Sequence, residues 1–127
     1  MLPLCRHEKI AVTPWSPLGR GLLAGSKQQQ TKRAETDNLA QQWYDQTAME
    51  NAIIDAVDRV ARGRGVPMAQ VAMAWAASRP GVTAPIVGAS KPHHLADAVA
   101  GIELALSAEE IAMLEAPYRP RPVAGHD

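Results

Sequence analysis

The sequence predicts an α/β fold with parallel strands, and three observations carry that prediction. Two short apolar segments, Lys9–Thr13 and Val82–Val87, are separated by two helical patterns, and two further helical patterns follow the second segment. Each apolar segment runs directly into a loop of small residues. The order strand, loop, helix, helix, strand, turn, helix, helix needs long crossovers between its strands, which parallel pairing requires. The 127 residues provide room for one domain.

In Lys9–Thr13 the apolar run is Ile10, Ala11 and Val12, closed off by Pro14, which suits a short buried strand. Residues Ser16–Gly25 (SPLGRGLLAG) hold three glycines and a proline and predict a loop. The polar, glutamine-rich stretch that follows predicts a mobile excursion over 26–49. From about Asn51 the period changes: Ile53, Val57, Val60 and Ala61 share one helical face, and Arg62-Gly63-Arg64-Gly65 supplies the cation-then-glycine ending.

Pro67 opens a second helix with Met68, Val71, Ala72 and Trp75 on one face, stopped by Arg79-Pro80-Gly81. Val82–Val87 is short and β-branched and predicts a second buried strand, although Pro85 has no N–H to give a ladder. Gly88-Ala89-Ser90-Lys91 makes a turn, and Pro92 opens a third helix reaching about Gly101. Ser107-Ala108-Glu109-Glu110 is a capping box for a fourth, with Ile111 and Leu114 inward. Pro117, Pro120 and Pro122 leave an extended tail over 117–127.

Composition excludes several classes of function. Thirteen Lys and Arg balance thirteen Asp and Glu, which gives no electrostatic reason to expect nucleic acid or an anionic membrane as partner. No apolar run approaches the roughly 18 residues that span a bilayer, and the early charges Arg6, Glu8 and Lys9 do not suit a secretory signal. The expectation is a cytoplasmic protein. One cysteine, Cys5, excludes an internal disulfide framework, and without an activating neighbour it reads as a small hydrophobe. The apolar fraction of 46% contains no Phe and much Ala, so the core is thin for its length.

Candidate chemistry sits in the two loops, because ligands bind where parallel strands end. In the first, Gly19 and Gly21 allow a ligand close to the backbone, Ser16 offers a hydroxyl, Arg20 can meet a phosphate and Trp15 presents a flat face. A glycine-requiring turn with Trp15 in the core would read the same way. In the second, Gly88 to Lys91 precede a helix whose first N–H groups and dipole favour an anion, and Lys91 adds a full charge. An ordinary helix cap with a solvated lysine is the competing interpretation. His93 and His94 are adjacent and should point apart, which suits surface better than a shared metal.

Taken in order, VTPWSPLGRGLLAG (Val12–Gly25), QVAMAWAASRPGVTAPIVGASKPHHLADAV (Gln70–Val99) and LSAEEIAMLE (Leu106–Glu115) resemble the carboxyl-terminal part of the aldo-keto reductase family. Met1–His7 looks like the end of the helix before that family's seventh strand. The resemblance implies a partial (β/α)8 TIM barrel, with Lys9–Thr13 as strand 7 and Ala84–Val87 as strand 8, and residues 1–127 as the cofactor-binding part. It implies NADPH as cofactor, with Trp15 against the nicotinamide and Ser16, Leu18, Arg20 and Gly21 around the pyrophosphate. Gly88, Ala89, Ser90 and Lys91 would then face the adenosine phosphate, with Lys91 favouring NADPH over NADH.

The chain departs from the family at two places in this last group. His94 stands where Gln or Arg is common, and Ala98 stands where an Asn contacts adenine, while Asp97 keeps the acidic neighbour. Losing the Asn removes a contact worth about 1 kcal/mol net. The family's catalytic Tyr, Lys, Asp and His belong to the first half of the barrel, and no residue here matches them. Tyr44 and Tyr118 lie outside that context, so no catalytic residue is assigned. The isolated chain is therefore expected to be inactive, with a small carbonyl compound as substrate only of a complete enzyme. A separate chain could supply the missing half. The alternatives are a non-catalytic nucleotide-binding or interaction module that pairs with another chain, and a truncated relic without function.

Overall fold

A computed structural model describes residues 1–25 and 48–120. Among them are α1 (Leu2–His7), a 3₁₀ turn (Gly19–Ala24), α2 (Ala48–Arg64), α3 (Met68–Ser78), α4 (Pro92–Glu103) and α5 (Ala108–Glu115). The expected excursion lies mostly outside the described residues, but its end does not hold: Ala48 and Met49 already belong to α2. Residues 121–127 of the expected tail also lie outside them.

The two segments expected as buried strands form no strand among the described residues: they meet in parallel through isolated bridges, Val12 with Val82 and Trp15 with Ile86, and Ile10 and Ile86 are more than half exposed. The Thr83 N–H donates to the Val12 carbonyl at 2.8 Å, and the Ile86 N–H donates to the Pro14 carbonyl at 2.9 Å. Two residues on the first segment thus match three on the second, so the register slips by one. Pro85, which lacks a donor, sits inside that slip, where sheets tolerate proline. The Val12 N–H turns instead to the Thr83 hydroxyl at 3.1 Å. The slip explains why the pairing stays in separate bridges and does not run as a ladder.

Each helix starts and stops for a local reason. At the end of α2 the Val66 N–H bonds to the Ala61 carbonyl (3.1 Å) and the Gly65 N–H to the Arg62 carbonyl (3.2 Å). Gly65 has φ +66, the left-handed geometry that a Schellman ending requires. Pro67 is the extended N-cap of α3, and α3 ends at Arg79, whose extended backbone precedes Pro80. The α5 capping box is complete: the Ser107 hydroxyl accepts the Glu110 N–H (3.2 Å) and the Glu110 carboxylate accepts the Ser107 N–H (2.7 Å).

Arg64 at the end of α2 donates to both Glu110 oxygens, at 2.5 and 2.6 Å, and to the Ala105 carbonyl at 3.1 Å. Hydrogen bonding from Arg64, then from the Ser107 N–H, lowers the Glu110 pKa to about 2. This pair ties the first turn of α5 to the last turn of α2. At the other end of α5, Glu115 accepts from the Trp75 indole at 2.9 Å and from Arg79 at 2.6 Å. Trp75 was expected on the inner face of α3 but stands at its rim, where its N–H reaches a partner.

The core is built from small apolar side chains, as the composition implied. Val57, Val60, Ala61, Val71 and Leu114 form its buried cluster, with Leu23 of the 3₁₀ turn packed against it. Met73 and Val71 are the largest fully buried side chains. The helices α3 and α4 approach so closely at Gly101 that a Cβ there would lie 2.7 Å from the Met73 Cβ and 2.9 Å from the Gln70 carbonyl oxygen. The helix α4 also runs two residues beyond its expected end, to Glu103.

Candidate functional site

The bridge between Trp15 and Ile86 fixes how the two loops relate. Both segments run in the same direction and both loops follow that bridge, so Ser16–Gly21 and Gly88–Lys91 leave the same end of the pair. This shared end is the one expected of loops that follow parallel segments.

The first loop holds a concentration of unusual backbone. Ser16 (φ 53) and Arg20 (φ 54) are two of the three non-glycine residues with positive φ among the described residues, and Gly19 and Gly21 share that region. Left-handed backbone costs a non-glycine residue roughly 1–2 kcal/mol, and such strain gathers at functional sites. Local bonds hold it in place: the Ser16 hydroxyl accepts the Arg20 N–H at 3.2 Å, and the Leu18 carbonyl accepts the Gly21 and Leu23 N–H groups at 3.0 and 3.1 Å. The Arg20 guanidinium lies 5.6 Å from the centre of the Trp15 ring, within cation–π range. Trp15 itself is 60% exposed, which removes the alternative of a buried core tryptophan.

The second loop is open. Gly88, Ala89, Ser90 and Lys91 are all exposed, and a Cβ on Gly88 would meet nothing within 4 Å. Lys91 is the N-cap of α4 and Pro92 follows it at the first helical position. The first turn of α4 carries no acidic residue to compete for the positive end of the helix. Ser90 Oγ and His94 Nδ1 are 3.5 Å apart, and the His93 and His94 rings meet edge to face at 4.5 Å. These rings were expected to diverge; at the start of the helix they touch instead. Among the described residues no cluster of His, Cys, Asp or Glu is arranged to hold a metal.

One residue of the site has a partner that sequence spacing did not suggest. Asp97, a turn along α4, accepts a hydrogen bond at 2.9 Å from the Gln70 side chain of α3. Nothing in local periodicity links positions 27 apart. Their shared neighbourhood follows from the close approach at Gly101.

The donor set of the two loops is cationic and N–H rich: Arg20, Lys91, Ser90, His94 and the start of α4. That chemistry fits a phosphate-bearing ligand, and the open space at Gly88 leaves room for one beside the backbone. Among the described residues the molecule is thus a helical chain with two bridged extended segments, from one end of which two anion-competent loops depart. A sequence profile of the Aldo/keto reductase family matches residues 1–119, and the chain belongs to that family.

Its relatives agree with this assignment. A Schizosaccharomyces pombe protein named as an aryl-alcohol dehydrogenase is 41% identical over 127 residues, covering 98% of this chain and 35% of that protein. Versiconal hemiacetal acetate reductase of Aspergillus parasiticus is 37% identical, covering 97% of this chain and 36% of its own length. An aldo-keto reductase of Fusarium vanettenii is 34% identical, covering 99% and 34%. The chain spans about a third of the length of these relatives. Among the described residues no helix is long and apolar enough to cross a membrane.

Proposed function

We propose that this chain is the NADPH-binding, carboxyl-terminal part of an aldo-keto reductase, contributing strands 7 and 8 and their helices to a (β/α)8 barrel. The observation that carries the reading is the parallel bridge between Trp15 and Ile86, from which both candidate loops depart together. The parent reaction is reduction of an aldehyde or ketone, for which bound NADPH supplies the hydride. Trp15 offers a face to the nicotinamide. Ser16, Leu18, Arg20 and Gly21 surround the pyrophosphate. Gly88, Ala89, Ser90, Lys91 and His94 receive the adenosine phosphates, and Asp97 stands behind them on α4.

This chain supplies binding and orientation. It has no residue in the role of the family's catalytic Tyr, Lys, Asp and His, so the proton donor comes from the remaining part of the barrel, on a separate polypeptide or a longer chain. The proposed compartment is the cytoplasm. The test is an assay of NADPH oxidation with a panel of aldehydes, paired with a cofactor titration. Cofactor binding without turnover supports the reading; turnover clearly above background from the purified chain contradicts it.

A further inference from the structure

Trp15 and Arg20 are joined by more than the loop they share. The Arg20 guanidinium lies over the Trp15 ring, 5.6 Å from its centre, while the indole stays 60% exposed. The arginine is held there from its backbone: Arg20 has φ 54, and its N–H donates to the Ser16 hydroxyl at 3.2 Å. Gly19 and Gly21 take left-handed backbone on either side, so the turn that carries Arg20 is tightly wound. An indole face by itself attracts a cation through the quadrupole of its ring. In this loop a cation is already beside the ring.

The two redox forms of a nicotinamide cofactor differ at the ring that stacks. The oxidised ring carries a positive charge and the reduced ring carries none, while the phosphates are the same in both. We propose that Arg20, through its place on Trp15, makes the site discriminate between the two forms and favour the reduced one. The assignment rests on the reading of Trp15 as the platform for the nicotinamide. A ring stacked on the indole at about 3.5–4 Å lies within about 10 Å of the guanidinium, whichever face it takes. Repulsion between unit charges at that range weakens binding of the oxidised form about twofold in a water-like dielectric and about fifteenfold in a partly desolvated one. Without the arginine, the same indole would prefer the cationic ring. The bias suits carbonyl reduction, which takes up reduced cofactor and lets oxidised cofactor go.

Calorimetric titration of the full chain with NADPH and with NADP⁺ tests the proposal, with circular dichroism to confirm folding of each variant. The wild type is expected to bind NADPH more tightly than NADP⁺. Arg20→Gln is expected to weaken both, because the pyrophosphate loses a cation, and to shrink the ratio of the two dissociation constants by about two- to fifteenfold. Arg20→Lys keeps the charge and should keep most of that ratio. A part in loop structure alone would weaken both forms alike and leave the ratio where it was. A ratio unchanged in Arg20→Gln, with both forms still bound, overturns the discrimination and leaves the cofactor site standing. A wild type that prefers NADP⁺ overturns it as well. Failure of the wild type to bind either form overturns the cofactor site and the discrimination together.

Discussion

The Gln70 side chain of α3 donates to the Asp97 carboxylate of α4 at 2.9 Å, one helical turn before the point where Gly101 lets the two helices touch. A polar tie and a small-residue contact therefore act together on the same pair of helices. The candidate phosphate-binding loop ends at the start of α4, so whatever sets the position of α4 also sets the position of Lys91. The end of the chain that carries the candidate loop is therefore positioned through α3.

Removing the acceptor should cost stability. Asp97→Ala leaves the half-buried Gln70 amide without its carboxylate and is expected to lower the unfolding free energy by about 1 kcal/mol. Asp97→Asn retains an oxygen that can accept from Gln70 and should cost less. Urea denaturation of the two variants checks the order; equal losses would show that the bond does not hold the helices.

Gly101→Ala sets two effects against each other. Alanine improves helix propensity by about 1 kcal/mol. The new Cβ would meet the Met73 Cβ at 2.7 Å and the Gln70 carbonyl oxygen at 2.9 Å, and backbone cannot step aside as a side chain can. Overpacking of this kind costs about 1–3 kcal/mol. The net result expected is destabilisation, measured as a lower Tm; a raised Tm would mean that α4 can shift away from α3 freely.

Acid should loosen α5. Glu110 has an ordinary pKa of 4.5 and is held at about 2 in the fold, first by its hydrogen bond from Arg64. A depressed folded pKa gives stability that is present above the unfolded value and lost as pH falls through the folded one. The window is therefore about pH 4.5 down to about 2. Glu109 shifts in the same direction, led by its own backbone N–H and then the Ser107 hydroxyl. Denaturation midpoints measured across this window should fall with pH in the wild type and fall less steeply in Glu110→Gln. Identical slopes would remove Glu110 from the linkage.

The helices were legible because their signals are local. Pro67, Pro92, the Ser107–Glu110 box and Gly65 behind its arginines each act within a few residues of themselves. The strands were less so: a β-branched run at Val82–Val87 predicts extension, but the register slip around Pro85 depends on what lies opposite. Trp75 fitted the inner face of α3 by spacing, yet its size and indole N–H take it to Glu115, 40 residues away. Both candidate loops could be named from their glycines and cations. Their common end follows from the parallel order, but the pairing of Trp15 with Ile86 could not be named, because those positions share no pattern.

In the proposed cofactor site Lys91, at the start of α4, reads the 2′-phosphate of NADPH. The most direct measurement is the pair of dissociation constants for NADPH and NADH, taken for the wild-type chain and for Lys91→Ala. A charge-assisted contact to the phosphate predicts that the wild type favours NADPH by about tenfold or more and that Lys91→Ala brings the two constants together. Equal weakening of both cofactors in Lys91→Ala, or no cofactor binding by the wild type, would remove Lys91 from that role.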